Sequence, residues 1–473
     1  MSLLPPFGTV AGEAARAGLV GLAFGAIFVA AELWRRIALP PVEWTRKLVH
    51  FGGGVIVGLF PWLFASHWTV LALALLATAA LGGGRRLGLL LSVTGVERES
   101  RGDLLFPLTG YLLFALAHDR PTFYVIALST LVVSDTLAAL LGRAYGRVVF
   151  AVGEDRKSVE GSAAFFTATF LAVHLLLLLG TPLERLASVL MAAQIALLVT
   201  SFEAISGHGN DNLVVPLGTF YLLVKMTPKT AGSIGVQLLA QLGILAFALV
   251  LAWRTRFLTL SGALAAHLVL YAAFSLGGEP WIAGPLGALA GFLALDARYG
   301  GLRGLPRGGH QVRAIYWVSI VAVLCIFADN SFATLIPVHP ALGSGQPFYP
   351  LFLGALAAPV AIFAFEPREE RPETRRGSLA RRALVAYAVG AGAVLPLGLG
   401  VLGAEITAET AALAALGGAL GLAVYLALRG RVTLAEGVQG SLRLAALATL
   451  VATLLALLVH LIWAGIRPWG PTP

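Results

Sequence analysis

Sixteen apolar runs punctuate the chain, and no other feature so narrows what it can fold into. A membrane-spanning helix needs about 20 predominantly apolar residues. On that rule sixteen candidate spans lie between residues 15 and 464, the first near 15–34 and the last near 444–464. Two of them, 104–118 and 211–224, are short. Only 12% of the residues are charged, where a soluble domain carries about 25%. The expected fold class is therefore all-α: a polytopic integral membrane helix bundle of about 16 transmembrane helices in two halves. The domains expected are 1–228, 229–366, a charged linker at 367–382, and C-terminal membrane helices at 383–473.

Charge placement orients these spans. The formal net charge is +9, but no soluble basic domain exists to engage a nucleic acid, so that partner is not expected. With the N-terminus outside and every span crossing, 27 of the 33 Lys and Arg residues fall in loops on one side. Such an excess marks the cytoplasmic face. The first basic residue is Arg16, so no cleavable signal peptide is expected. The single cysteine, Cys325, cannot form an intrachain disulfide.

Four polar clusters interrupt the first half, all on that same side. They are Arg46-Lys47-x-x-His50, the run from Glu97 to Asp103 that contains Arg101, the stretch Ser134 to Ser162, and Glu203 to Asn212. Asp135 is the sharpest residue. A lone carboxylate inside an apolar span costs about 2.5–3.5 kcal/mol on insertion scales and marks a functional site by default. Ala138, Ala139 and Gly142 follow it and make one helix face small, which lets a helix or ligand approach closely. Gly142-Arg143 and Gly146-Arg147 come next, then Arg156, Lys157, Ser158, Glu160 and Gly161. Arginine offers a planar fork and lysine a compact charge, both suited to a polyphosphate. Lys157 and Ser158 precede an apolar run, so they belong to a helix N-terminus where anions are favoured. Asp211 and Asn212 add oxygen ligands or an ordinary N-cap. His50 either orients a phosphate, takes a proton from an alcohol, or sits at headgroup level as a structural group. A magnesium ion would be held by carboxylates and phosphate oxygens, with Asp135, Glu160 and Asp211 the candidates. Candidate acid–base or charge-stabilising groups are Asp135, Lys157, Glu160, Glu203 and His50. Candidate nucleotide-binding residues are Arg46, Lys47, Arg101, Gly142, Arg143, Gly146, Arg147, Ser158, Gly161 and Asn212. Neither HExxH, a CxxC pair nor GxxxxGK[ST] occurs, so zinc-hydrolase and P-loop chemistry lack support.

At these residues the chain resembles the polyprenol kinase family of phytol, farnesol and dolichol kinases, related to phosphatidate cytidylyltransferases. The family pattern D-x-x-A-x-x-x-G-x-x-x-G followed by K-[ST]-x-E-G is matched by Asp135, Ala138, Gly142, Gly146, Lys157, Ser158, Glu160 and Gly161. The segments Arg46-Lys47-x-x-His50, Arg101-Gly102-Asp103 and Glu203 to Pro216 resemble its other blocks, and the likeness covers about residues 40–225. It implies a magnesium-dependent kinase that uses CTP (or UTP, GTP or ATP) to phosphorylate a membrane isoprenoid alcohol. The competing readings are synthesis of a CDP-lipid and membrane transport. Farther along, Arg256 to Ala266 and Gly277-Gly278-x-x-Trp281 faintly resemble the membrane family containing phytyl-phosphate kinase. The acidic signature expected of that family is absent from Gly354 to Phe365. Asp296, Asp329 and Asn330 are the polar residues of note in this half.

Overall fold

The computed structural model describes residues 5–87, 102–153, 155–299, 311–335, 346–366, 378–400, 408–429 and 437–466. Each of the sixteen apolar segments is helical there. Twelve helices are long and apolar enough to cross a membrane, and Gly102–Ala117 and Tyr349–Phe365 are apolar but shorter. The chain divides into two compact units, Met1–Leu239 and Ala240–Pro473.

The first unit holds α1 (Val10–Ala38), α2 (Val42–Gly58), α3 (His67–Arg86), α4 (Gly102–Ala117) and α5 (Pro121–Tyr145). It continues through α6 (Val159–Gly180), α7 (Arg185–Ile205) and α8 (Asp211–Met226) into the start of α9 (Ala231–Thr255). Caps fix several starts: Thr9 accepts the Gly12 N–H, and Ser158 accepts the Gly161 N–H, both at 3.1 Å. Pro121 opens α5 at a position where a helix has no use for its missing N–H. Within α5, Thr130–Ser134 widens into a π turn immediately before Asp135. That turn is wedged in place: a Cβ on Gly54 of α2 would overlap Val132. On its other side, Thr130 Oγ1 lies 3.1 Å from Thr219 Oγ1 of α8. Phe114, Tyr124 and Leu128 pack with Val57 and Phe60 in one apolar cluster. Phe165, Leu177, Met191 and Ile195 form another.

One stretch departs from the all-helical expectation. Between α5 and α6 the chain forms an antiparallel hairpin of β1 (Val149–Val152) and β2 (Asp155–Ser158), pairing Val149 with Ser158 and Val152 with Asp155. Gly153, at φ 63°, opens its two-residue connection, the left-handed backbone that tight hairpins require.

The second unit contains the rest of α9 and then α10 (Leu260–Gly277), α11 (Ala283–Tyr299), α12 (Val312–Leu335) and α13 (Tyr349–Phe365). It ends with α14 (Leu379–Gly400), α15 (Ala408–Arg429) and α16 (Gly437–Ile466). Every residue of α13 is buried, as expected of a helix that is apolar all round. A Cβ on its Gly354 would come within 3.1 Å of Gly417 Cα on α15. Asp329 is tied to this packing, its Oδ1 accepting the Phe348 N–H at 3.1 Å. Asn330 donates to the Leu276 carbonyl at 3.3 Å. Most of the expected linker, residues 367–377, lies outside the described residues.

Candidate functional site

The described polar-cluster residues of the first unit meet where α2, α4, α6 and α8 begin and where α3, α5 and α7 end. They line one cavity of about 1220 Å³. Its polar wall carries Glu43, Arg46, Lys47, His50, Asp103, Asp135, Arg143, Arg156, Lys157, Glu203, Asp211 and Asn212. Its apolar wall is built from α1 (Val20, Phe24, Phe28), α2 (Val57), α3 (Val70, Leu73, Ala77) and α4 (Phe106).

Two lysine–carboxylate clusters organise the polar wall. Lys47 Nζ donates to Asp135 Oδ2 at 2.5 Å and to the Asp135 carbonyl at 3.3 Å. His50 Nε2 is 3.5 Å from the same carboxylate oxygen. Lys157 Nζ donates to Glu203 Oε1 at 2.6 Å and to the Glu203 carbonyl, and lies 3.8 Å from Asp211 Oδ2. Burial by itself would lower the Lys157 pKa, but Glu203 and Asp211 beside it raise it above the ordinary lysine value. Arg46 pairs with Glu43 at 2.5 Å. Arg143 and Arg156 form no ion pair among the described residues. They remain the cations of this wall best placed to meet an incoming anion.

The glycines work differently from a phosphate-cradling loop. A Cβ at Gly142 would sit 3.0 Å from Ser158 Oγ and 3.1 Å from Gly161 Cα; one at Gly161 would sit 3.1 Å from the Ala138 carbonyl. Their first task is thus to bring α5 and α6 into backbone contact, though both also line the cavity. Gly146 caps α5, its N–H donating to the Gly142 carbonyl at 3.0 Å, and a Cβ there would overlap that same oxygen. Ser158 is both cavity wall and N-cap of α6. Asn212 Nδ2 ties α8 to the Gly102 carbonyl at 2.6 Å.

Three expected site residues are not brought to the cavity wall. Glu160 turns to the hairpin, where its carboxylate accepts the Val148 N–H at 3.1 and 3.3 Å. Gly146 and the exposed Arg147 are also absent from the wall. Arg101 lies outside the described residues.

Other contributors were not singled out from the sequence. Asp155 is buried, and its Oδ2 accepts the His208 N–H at 2.8 Å. It pins the α7–α8 connection where His208 and Gly209 take φ values of 57° and 84°. On a strand, alternate residues share a face. Asp155 and Lys157 therefore act together: one fixes the backbone between Glu203 and Asp211, the other engages their carboxylates. An acid two residues before Lys157 was the available signal, hidden because the stretch does not read as a strand. Asp103, quoted within its cluster, lines the cavity with its Oδ1 buried and unpartnered by any described residue.

These donors can be compared with what a nucleotide-bound cation requires. Among the described residues no three His, Cys, Asp or Glu side chains form a metal-holding group. Magnesium asks for less from a protein: one or two carboxylates beside waters and substrate phosphates. Asp135 and Asp211 on the cavity wall, with the orphaned Asp103 oxygen, fit that requirement; Glu160, turned to the hairpin, does not.

An all-α membrane protein with an ionised wall at one end of an apolar cavity has the makings of an enzyme that modifies a lipid headgroup. Phytol kinase from Synechocystis sp. is 35% identical over 204 residues, which cover 43% of this chain and 87% of that protein. The chain belongs to the phytol kinase family, and it is a lipid-alcohol kinase. No family model and no solved structure matches it.

Proposed function

We propose that the protein transfers the terminal phosphate of a nucleoside triphosphate, CTP in the first instance, to the hydroxyl of a membrane isoprenoid alcohol such as phytol or geranylgeraniol. The observation that carries this reading is the division of one cavity into an ionised wall and an apolar wall. A substrate with a single polar end and a long hydrocarbon tail matches both parts. The likeness to a phytol kinase supports the same class of acceptor.

Arg143, Arg156 and the N-terminus of α6 receive the phosphates, with Lys157 nearby as a fixed positive charge. Phosphoryl transfer relies almost entirely on positioning and on stabilising charge over the transferring group. A wall whose charges are already locked by Lys47–Asp135 and Lys157–Glu203 supplies that without reorganising. Magnesium, held by Asp135 and Asp211 when it arrives with the nucleotide, would neutralise charge on the phosphate oxygens. The asymmetry of basic loops supports a cytoplasmic location for this wall, the side on which nucleotides are found.

The test is a product assay on purified protein with a panel of isoprenoid alcohols and each labelled nucleoside triphosphate. The expected products are the alcohol monophosphate and a nucleoside diphosphate. A CDP-lipid with pyrophosphate would replace this reading with cytidylyl transfer, and substrate flux into proteoliposomes without nucleotide would replace it with transport.

A further inference from the structure

The cavity has to admit two substrates that cannot share a route: a polyanionic nucleotide from water and an alcohol whose tail belongs in hydrocarbon. We infer that the slot between α1 and α3 is a lateral portal, through which the acceptor alcohol slides in from the membrane, its hydroxyl reaching the polar wall while its tail lies between the two helices. The inference rests on the kinase reading above and adds to it the route of the acceptor.

Residues that line the cavity and are nevertheless exposed mark where it opens. Among the described residues they form two sets. Gly18, Gly21 and Gly25 of α1 with Leu76 and Ala80 of α3 make an apolar rim. Arg85, Arg143 and Arg156, with Val149 of the hairpin, make a basic one. The lining residues contributed by α2, α4, α6, α7 and α8 are all buried or half-buried. The cavity therefore has an apolar mouth along α1 and α3 and a basic mouth at its polar end.

The packing of α1 and α3 accounts for the apolar mouth. At the end away from the polar wall they are tied together, Glu13 Oε1 accepting the Ala65 N–H at 2.9 Å just before α3 begins. Val20 and Val70 follow, 4% and 1% exposed in one apolar cluster. Farther along, each helix leans on a different neighbour. A Cβ on Gly52 or Gly53 of α2 would come within 2.9–3.0 Å of Ile27 and Phe24 of α1, and one on Gly82 of α3 within 3.8 Å of Leu104 on α4. Toward each other they leave space: an added Cβ at Gly18, Gly21 or Gly25 meets no atom within 4 Å. Leu76, on the opposite rim, is 68% exposed. Gly25 and Leu76 stand ~16–18 Å along their helices from the Glu13 tie.

An apolar slot in a membrane protein is occupied by hydrocarbon, because lipid tails are as apolar as the side chains around them and nothing drives the helices to close over it. An isoprenoid tail replaces a lipid tail there at little cost. What separates the alcohol from bulk lipid is the other end of the slot, where the same cavity presents Arg46, Lys47 and Asp135 to a hydroxyl. The basic mouth suits the nucleotide, so neither substrate crosses the path of the other. A tail longer than the cavity keeps its far end in the membrane.

Narrowing the slot tests the portal, using the full chain in phosphatidylcholine nanodiscs with CTP as donor. Gly25→Trp and Ala80→Trp should each lower kcat/KM for geranylgeraniol about tenfold, the worth of roughly two methylenes kept from apolar contact. The KM for nucleotide should not move, and geraniol, short enough to lie within the cavity, should be spared. Leu19→Trp and Leu75→Trp, exposed but off the cavity wall, should behave as wild type. Should either slot variant misfold, Gly25→Cys carries the test: benzyl methanethiosulfonate added after folding should bring the same loss and reductant should reverse it, the native Cys325 being buried. A fifty-five-carbon polyprenol should be phosphorylated as efficiently as geranylgeraniol. Unaltered geranylgeraniol kinetics in the narrowed variants would mean that the slot holds bulk lipid only. That result, an equal loss for geraniol, or rejection of the polyprenol overturns the portal and leaves the kinase reading intact. If the wild-type protein phosphorylates no isoprenoid alcohol with any nucleotide, the kinase reading falls, and the portal with it.

Discussion

Lys47 Nζ lies 2.5 Å from Asp135 Oδ2, joining two helices across 88 residues of sequence at the point where the π turn of α5 returns to α-helix. The two side chains are 5% and 16% exposed. Removing one partner of a buried pair leaves an uncompensated charge and costs about 3–5 kcal/mol, whereas replacing both with apolar groups is often neutral. Lys47→Met should therefore unfold in detergent well below wild type. The double variant Lys47→Met with Asp135→Leu should recover most of that loss and remain inactive. Asp135→Asn should lose activity at least 10²-fold, as expected of a group that stabilises transferring charge. Parallel thermal unfolding and kinase assays separate the two roles, and an active double variant would remove Asp135 from the chemistry.

Gly142 and Gly161 should tolerate nothing larger than hydrogen. A methyl on Gly142 would sit 3.0 Å from Ser158 Oγ and 3.1 Å from Gly161 Cα, and one on Gly161 3.0 Å from Ser158 Oγ and 3.1 Å from the Ala138 carbonyl, so each meets backbone as well as a side chain. Backbone cannot yield as a flexible side chain can, so Gly142→Ala and Gly161→Ala should each cost about 1–3 kcal/mol through overpacking. Gly21→Ala on α1 is the control, because no atom lies within 4 Å of the added carbon. Unfolding midpoints of the three variants check this; a wild-type midpoint for Gly142→Ala would mean that α5 and α6 part freely.

The contribution of Lys157 has a definite pH window. Its pKa in the folded protein is raised: burial opposes the charge, but Glu203 and Asp211 outweigh it. A raised pKa means the folded state holds the proton more tightly than the unfolded chain. The stabilisation is then complete below lysine's ordinary value of 10.5 and is lost as pH climbs through the higher folded value. The stability gap between wild type and Lys157→Met should stay flat from pH 7 to about pH 10 and narrow only beyond it. A gap that closes near neutrality would show that the lysine is not held by these carboxylates.

Acceptor length should respond to bulk placed along the apolar wall. Between Ala17 and Phe28, α1 lines the cavity over ~16 Å at 1.5 Å per residue. Ala77 of α3 lines the same cavity. Gly21→Phe and Ala77→Phe should raise KM for a twenty-carbon alcohol about tenfold while sparing a ten-carbon one, as each lost stretch of tail contact forfeits about 0.8 kcal/mol per methylene. KM for the nucleotide should not move. Equal effects on both alcohols would place the tail elsewhere.

Much of this architecture was legible in the sequence because membrane burial writes it plainly. A helix that must satisfy its own backbone in lipid has to be long and apolar, and twelve of the described helices are both. Asp135 stood out for the same reason, as a charge where charge is costly. What stayed illegible depended on partners distant in the chain. Lys47 read as a nucleotide-binding cation, and only α2 laid against α5 shows it held by Asp135; Glu160 read as a metal ligand, and only the hairpin shows it taking the Val148 N–H. The hairpin was unreadable because four-residue strands carry almost no periodic signal. Asp155 went unnoticed with it. The π turn has no sequence signature of its own; Gly54 against Val132 is what places it.

The apolar wall formed by α1 and α3 also bears on how the reaction must be measured. Leu19, Leu22 and Val29 on α1 and Leu75 on α3 are exposed and lie off the cavity wall, which on a membrane helix means facing lipid. On the proposed kinase reading, this apolar wall is thus also a boundary with the bilayer, where an isoprenoid alcohol would meet the protein before it ever dissolves in water. Its effective concentration is a mole fraction in a two-dimensional solvent. Diluting the alcohol with inert lipid at constant bulk concentration should slow turnover as severely as withholding substrate, whereas the nucleotide, arriving from water, should obey ordinary molar saturation.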